Sequence, residues 1–148
     1  MRIIACGNRN RSDDGAGLLV AERLRSFGIQ VEVQSGEALD LIEAWRGADE
    51  VIVIDTVVTG ARPGTLHIWD GAELQLPACS QPSSHGLGVA EAISLSRTLN
   101  YVPKRLQIFG IEGRNFNFGS TVSPQLLTTV EKLVDTIRAG IATETITA

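Results

Sequence analysis

The range of folds open to this chain is limited most by its first segment, in which a buried strand leads into a polar loop and then into an amphipathic helix. Residues 2–6 form an apolar run that stops at a Gly-Asn pair, and the following loop ends in adjacent carboxylates, Asp13 and Asp14. Over 15–27, apolar residues recur at helical spacing. This opening is typical of an open α/β sheet, in which ligands bind beyond the carboxyl ends of the strands.

The remainder of the chain alternates between strand and helix patterns. In chain order, the sequence predicts strands at 2–6, 29–33, 50–55, 65–70 and 105–111, and helices at 15–27, 35–47, 87–99 and from 123 onward. Segment 65–70 alternates with period two and suits an edge strand, with antiparallel pairing as a candidate arrangement. The pattern predicts a single α/β domain over 1–148, in which a mostly parallel twisted sheet of about five strands carries helices on both faces, with a frayed tail over about 141–148.

Composition narrows the classes of function. The net charge of −4 argues against a nucleic-acid surface, which normally shows a basic stripe. The sequence shows no signal peptide and no apolar run long enough to span a membrane, so we expect a cytoplasmic protein. Cys6 and Cys79 form neither a CxxC pair nor a disulfide framework, which also favours a reducing compartment. The oligomeric state stays open, with a monomer expected.

Three carboxylates stand where this fold class places ligands. Asp13 or Asp14 could cap the first helix, because an acidic group at a helix start meets free amides and the positive end of the helix dipole. Two adjacent carboxylates exceed what capping needs, and their repulsion is unfavourable unless a cation or a donor compensates it. Asp55 ends the apolar run 51–54, which is typical of a central parallel strand. It is therefore expected at the ligand edge of the sheet, the alternative being a loop residue that bonds local amides.

His85 opens a later helix from a serine-rich loop, and the topology favours the same sheet edge for it. Carboxylates with a neutral imidazole suit Zn²⁺, Ni²⁺ or another borderline ion. We therefore interpret Asp14, Asp55 and His85 as converging on one metal ion. His67 lies inside an alternating strand and is expected to be a structural surface residue. Glu112 follows a strand end and is expected either to support the site or to be solvated.

Other chemistries fit these loops less well. The sequence lacks a Gly-x-Ser-x-Gly elbow, a G-x-G-x-x-G loop and a Walker loop with its lysine. Nothing marks Cys79 as an activated nucleophile. A receiver-like phosphoacceptor, or another non-enzymatic metal-binding module, would use the same carboxylates and stays open as the alternative. A receiver needs a lysine after a late strand, however, whereas Lys104 precedes that strand here.

Four short motifs between residue 3 and about residue 134 form a specific combination. They are Gly7-Asn8-x4-Asp13-Asp14-Gly15-x-Gly17, the strand that ends at Asp55 with the later Pro63-Gly64-Thr65-Leu66 turn, Ser84-His85-Gly86-Leu87 at a helix start, and Gly110-Ile111-Glu112 before an Asn/Phe/Gly loop and Ser123-Pro124. Together these motifs resemble the hydrogenase maturation proteases, the nickel-dependent endopeptidases that trim the large subunit of [NiFe]-hydrogenases.

The resemblance implies a function and a site. By motif position, the metal-contacting residues of the family fall on Asp14, Asp55 and His85. The partner would be a hydrogenase large-subunit precursor that already holds nickel on its cysteine thiolates, so the nickel would come with the substrate. The protein would then remove the short C-terminal extension, with the substrate's metal polarising the scissile carbonyl and lowering the pKa of a bound water.

Three positions depart from the pattern of the family. Arg9 and Asn10 occupy loop positions that are often apolar, and Gly113 follows Glu112 where a proline is common. These departures bear on which hydrogenase is processed rather than on membership of the family.

Overall fold

A computed structural model confirms the predicted alternation of strands and helices, and it describes residues 1–71, 87–119 and 121–147. The strands are β1 (Arg2–Cys6), β2 (Glu32–Gln34), β3 (Glu50–Val57), β4 (Leu66–Asp70) and β5 (Arg105–Glu112). The helices are α1 (Ala16–Ser26), α2 (Ala38–Trp45), α3 (Leu87–Leu99) and α4 (Pro124–Thr147), with a 3₁₀ turn over Ser12–Gly15 directly before α1. In the described part of the chain, no helix is long and apolar enough to cross a membrane.

The five strands form one sheet in the order β2-β1-β3-β5-β4. Strands β2, β1, β3 and β5 run parallel to one another. Strand β4 lies at the edge of the sheet and pairs antiparallel with β5, which confirms the predicted edge strand. Because parallel strands share a direction, the ends of β1, β2, β3 and β5 meet at one side of the sheet. We call this side the carboxyl edge; it comprises the loops that follow Cys6, Gln34, Val57 and Glu112.

Each face of the sheet carries its own hydrophobic core, as the apolar patterns on both faces of the central strands predict. One core packs α1 and α4 on the sheet, and its fully buried members include Val20, Leu24, Ile54, Ile111, Leu126 and Leu133. The other packs α2 and α3, with Ile4, Leu41, Trp45, Val53, Val89 and Ile93 buried. The buried indole nitrogen of Trp45 donates to the hydroxyl of Ser96 at 3.1 Å, which ties α2 to α3.

Several segments differ from their sequence-based boundaries or lie outside the described residues. Strand β3 continues through Val57, two residues beyond its predicted end at Asp55, and α2 begins at Ala38 rather than at residue 35. Strand β2 begins at Glu32 rather than at residue 29, because the amides of Gly28 and Ile29 still close the last turn of α1. The helical backbone of α4 continues through Thr147, over a segment that the sequence predicted as a frayed tail after Gly140. The predicted loop at 77–84, with Cys79, and the candidate ligand His85 lie outside the described residues.

Candidate functional site

Two glycines let the loop after β1 fold tightly against the sheet. A Cβ on Gly17, in the first turn of α1, would lie 2.6 Å from the carbonyl oxygen of Cys6 and 3.4 Å from that of Ile54. Gly7 has φ +154°, and a Cβ there would collide with the carbonyl oxygen of Asp14. The absence of both side chains allows α1 to start directly over the ends of β1 and β3. The 3₁₀ turn that carries Asp14 is thereby held at the carboxyl edge.

Asp14 is buried at this position, and its carboxylate holds the loop that precedes it. One carboxylate oxygen accepts a hydrogen bond of 2.9 Å from the amide of Asn8, and the backbone amide of Asp14 donates to the carbonyl of Arg11. The residue is 7% exposed, so its carboxylate lies just beneath the surface of the edge.

Asp55 lies two residues before the end of β3 and is also buried. By strand alternation its side chain lies on the same face as Val51 and Val53, the face covered by α2 and α3. Burial and the negative charge of Asp14 raise the pKa of Asp55 to about 7, while a hydrogen bond of 2.8 Å from the amide of Thr56 acts in the opposite direction. The two carboxylates predicted from separate segments are therefore close enough to disfavour each other's ionisation.

The thiol of Cys6 is a third ionisable group at this edge. The thiol is fully buried, and its pKa is raised by burial and by the charges of Asp55 and Asp14, so it remains protonated at neutral pH. The sequence predicted Cys6 only as a buried strand residue. Its alternation with Ile4 would have placed it on the same face as Asp55.

Asp13 has a different role from its neighbour, because it joins two loops instead of lining the site. Its carboxylate is fully buried and accepts hydrogen bonds from the amides of Arg114, Asn115 and Ser123 and from the hydroxyl of Ser123, at 2.6–2.9 Å. Burial acts to raise the pKa of Asp13, but these hydrogen bonds outweigh it and hold the pKa below its ordinary value. Its donors come from the loop after β5 and the start of α4, so they could not be identified from the sequence around Asp13.

Helix α3, which follows the third predicted site residue, begins at the same edge. A Cβ on Gly88 would collide with the carbonyl of Gly36, so the first turn of α3 lies against the loop after β2. A Cβ built on Gly36 would lie 3.7 Å from the Cβ of Cys6, so the loop after β2 also lies next to the end of β1. His85 precedes α3 by two residues in the sequence but lies outside the described residues. Among the residues that the structure describes, no three histidine, cysteine or acidic side chains form a metal-binding group, so the convergence of all three ligands stays a prediction.

Glu112 lies at the end of β5 and is buried, which excludes the expectation that it is simply solvated. It accepts hydrogen bonds from the amide (2.9 Å) and hydroxyl (2.6 Å) of Thr59 and is 3.0 Å from Nε2 of His67. The His67 ring stacks on Trp69 with centroids 4.9 Å apart. This cluster fixes the loop after β3 to β4 and β5, and it gives both Glu112 and His67 a structural role.

The geometry gives the edge a specific chemical capacity. Two buried carboxylates, Asp14 and Asp55, lie close enough to interact electrostatically with each other and with a protonated thiol. Carboxylates in such a pair repel each other unless a proton or a cation lies between them. The site can therefore hold a proton near neutral pH, or exchange that proton for a cation that a partner supplies.

Comparison with known proteins places this fold in a family. The family model described as hydrogenase maturation protease matches residues 22–140. The hydrogenase expression/formation protein HupD of Thiocapsa roseopersicina is 27% identical over 131 residues, which cover 84% of this chain and 59% of HupD. The chain thus spans less than two thirds of that relative. The hydrogenase 2 maturation protease of Escherichia coli K12 is 23% identical over 94% of this chain and 88% of its own length.

Solved structures agree with this comparison. The hydrogenase maturating endopeptidase HybD from E. coli superposes with a TM-score of 0.77 at 24% identity, over 97% of this chain and 94% of that chain. The [NiFe] hydrogenase maturation protease HybD from Thermococcus kodakarensis gives a TM-score of 0.74 at 24% identity, over 94% and 98% of the two chains. Likeness at this identity establishes the shared fold. Since the family model also spans most of its length, the chain belongs to the hydrogenase maturation protease family.

Proposed function

We propose that this protein is an endopeptidase that removes the C-terminal extension of a [NiFe]-hydrogenase large-subunit precursor once nickel has been inserted. Asp14, Asp55 and His85 recognise the nickel that the precursor carries. The observation that supports this proposal most directly is the buried pair of carboxylates at the carboxyl edge, where the charge of Asp14 and burial raise the pKa of Asp55 to about 7. Membership of the maturation protease family supports the class of reaction.

A substrate-borne cation resolves the electrostatic conflict within the site. Asp14 and Asp55 would hold a substrate-borne nickel ion, whose positive charge would offset their mutual repulsion and displace the proton that Asp55 holds near neutral pH. Carboxylate oxygens and an imidazole suit a borderline ion such as Ni²⁺. The carboxylates are already held, Asp14 through Asn8 and Asp55 through Thr56, so little side-chain freedom is lost on binding.

The same groups can support hydrolysis of a peptide bond. Nickel at the scissile bond polarises the carbonyl and makes a bound water more acidic. A carboxylate oxygen of the site that is not bound to the nickel can accept a proton from that water and return it to the leaving amine. This route needs neither a serine nor a cysteine nucleophile, and Cys6, as a buried and protonated thiol, is unsuited to that role.

The alternative of a receiver-like module has less support. A receiver uses a pair of acidic residues for its cation, whereas Asp13 accepts four hydrogen bonds from distant loops and is occupied by them. A receiver also requires a lysine after a late strand. Here β5 ends at Glu112, which accepts a hydrogen bond from Thr59 and lies next to His67.

The decisive experiment compares cleavage of a nickel-loaded large-subunit precursor with cleavage of the same precursor without nickel. We expect the wild type to cut only the loaded form, and Asp14→Asn and His85→Ala to lose cleavage while they remain folded. Asp135→Asn, at an exposed position on α4, is the matched control and should cleave normally. Cleavage of neither precursor by the wild type would exclude the proposed activity, and equal cleavage of both would exclude recognition of nickel.

A further inference from the structure

Four arginines stand on three loops at the carboxyl edge, in a chain whose net charge is −4. The loops are 7–12 after β1, 58–65 after β3 and 113–119 after β5, and they contain no aspartate and no glutamate. All four arginines are exposed. We call this group the arginine rim; it comprises Arg9, Arg11, Arg62 and Arg114.

Three members of the arginine rim have no counter-charge among the side chains that the structure describes. Arg9 pairs with Glu22 of α1 at 2.5 Å. Among the side chains of residues 1–71, 88–119 and 121–141, no carboxylate lies within ion-pair distance of Arg11, Arg62 or Arg114. Exposed guanidinium groups that are not paired with carboxylates form a local positive field that attracts anionic groups.

An exposed aromatic ring lies within the arginine rim. Phe118 is 80% exposed, which makes it the most exposed large apolar residue in the described part of the chain. The guanidinium carbon of Arg11 lies 5.8 Å from the centre of this ring. Arginine and aromatic residues are enriched in protein interfaces, so this exposed pair is typical of a surface that binds another protein.

The backbone beneath this surface is rigidly organised. The loop after β1 and the loop after β5 pair with each other: the amide of Ser12 donates to the carbonyl of Gly119 at 2.8 Å, and the amide of Gly119 donates to Asn10 at 2.8 Å. The side chain of Asp13 adds bonds to Arg114 and Asn115. Because the loops are ordered before a partner arrives, docking on them costs little conformational entropy.

The arginine rim also adjoins the candidate site. Arg11 is three residues from Asp14, and its carbonyl accepts a hydrogen bond from the Asp14 amide at 3.1 Å. A polypeptide that presents a metal to Asp14 would therefore come close to Arg11.

We propose that the arginine rim docks an acidic, extended segment of the precursor protein that flanks the bond to be cut. Carboxylates of this segment pair with Arg11, Arg62 and Arg114, and one of its apolar side chains packs on Phe118. This inference rests on the proposed function and adds to it the chemistry by which the protein selects its substrate. A nucleic-acid partner fits less well, since the basic surface is limited to these loops and the chain as a whole is acidic.

Charge reversal at the rim provides the test. In the Arg11→Glu/Arg114→Glu double variant, we expect KM for the nickel-loaded precursor to rise by about tenfold or more while kcat stays within about twofold. The matched control is Arg46→Glu, because Arg46 also stacks on an exposed aromatic ring, that of Tyr101 at 4.7 Å, but follows α2 at the opposite edge of the sheet. An unchanged KM in the double variant, or an equal rise in the control, would overturn the proposal.

A binding measurement separates this inference from the proposed activity. Affinity for the uncut, fluorescently labelled precursor is measured for the wild type and for both variants, and it reports docking even if the wild type fails to cleave. We expect the double variant to bind about tenfold more weakly, the loss to shrink as salt rises, and binding to return when acidic residues flanking the scissile bond of the precursor are changed to lysine. If the double variant lost binding to a short DNA duplex but bound the precursor as tightly as the wild type, the arginine rim would instead be a nucleic-acid surface.

Discussion

At the scale of single residues, two neighbouring aspartates have different functions because their partners differ. Asp13 accepts four hydrogen bonds from residues more than one hundred positions away, whereas Asp14 lies beneath the surface of the edge and shifts the pKa of Asp55. A carboxylate surrounded by donors is stabilised in its charged form, and one beside another carboxylate is destabilised. The first arrangement stabilises the fold, and the second is the one that we propose for binding a cation.

Replacement of Asp13 should therefore affect stability first. In Asp13→Asn the amide group faces backbone amides that need an acceptor, so we expect the free energy of unfolding at pH 7 to fall by about 2–4 kcal/mol. Because the folded-state pKa of Asp13 is lowered, its contribution is present above its unfolded pKa and is lost as the pH falls through the folded value. Urea denaturation at pH 7 and at pH 3 should show the difference from wild type shrinking in acid. A difference that is independent of pH would contradict this assignment.

Asp55 should change the free energy of unfolding with pH in the opposite direction to Asp13. Its pKa is about 7 when folded against an ordinary value of 3.8, so the folded state retains a proton and loses stability as the pH rises through that window. We expect Asp55→Asn to be more stable than wild type by about 2–4 kcal/mol at pH 8 and nearly equal to it at pH 4, as measured by urea denaturation. The same variant should lack cleavage activity. Equal stability of the two proteins at pH 8 would show that Asp55 is not held in an unfavourable charged state.

At the scale of elements, the site depends on how closely α1 approaches the sheet. Gly17 allows the first turn of α1 to lie close to the carbonyl groups of Cys6, which ends β1, and of Ile54 in β3. The loop before α1 is also tightly packed, because the backbone of Gly7 lies against the carbonyl of Asp14. The position of Asp14 is thus set by backbone contacts rather than by its own side chain. The Glu112–Thr59–His67 cluster has the corresponding effect on the loop after β3.

A single methyl group tests this arrangement. Gly17→Ala would place a Cβ 2.6 Å from the carbonyl oxygen of Cys6, so α1 must shift, and we expect a loss of about 1–3 kcal/mol in unfolding free energy together with reduced cleavage. Gly140→Ala in α4 is the control, because nothing lies within 4 Å of its Cβ position and alanine favours helix by up to about 1 kcal/mol. Thermal unfolding of both variants makes the comparison. A Gly17→Ala protein as stable as wild type would show that the close approach is not required.

At the scale of the whole molecule, one sheet separates two hydrophobic cores, which we expect to unfold together. Ile111 is buried on the face covered by α1 and α4, and Ile93 is buried on the face covered by α2 and α3. Since the sheet lies between them, substitutions at these positions should act independently on stability.

Paired truncations in the two cores test this independence. We expect Ile111→Val and Ile93→Val each to lower the unfolding free energy by about 1 kcal/mol. In the double variant the losses should add to within about 0.5 kcal/mol, with a single unfolding transition in urea. Two separate transitions would mean that the cores are separate folding units.

Much of this fold follows from local sequence patterns, and the reason is physical. The apolar runs 3–6 and 51–54 have no polar face, so only central strands covered on both sides can bury them. The period-two pattern around His67 has one polar face and belongs at an edge. Gly28 ends α1 at φ +80°, a conformation that glycine adopts readily. The apolar run that leads to Asp55 then predicts the ligand edge, although β3 itself continues to Val57.

The α/β class and the edge at which Asp14 and Asp55 lie can be predicted from the sequence, because periodicity and apolar runs are local properties. The partner of each polar residue depends on the folded chain. The sequence did not distinguish Asp13 from Asp14, nor show that Glu112 is buried. Those outcomes depend on Ser123, Thr59 and their neighbours, which are brought to the edge by elements far away in the chain. Hydrogen bonds and charge interactions act over a few ångströms in space, whatever the separation in sequence, so the role of each carboxylate is fixed only when the chain has folded.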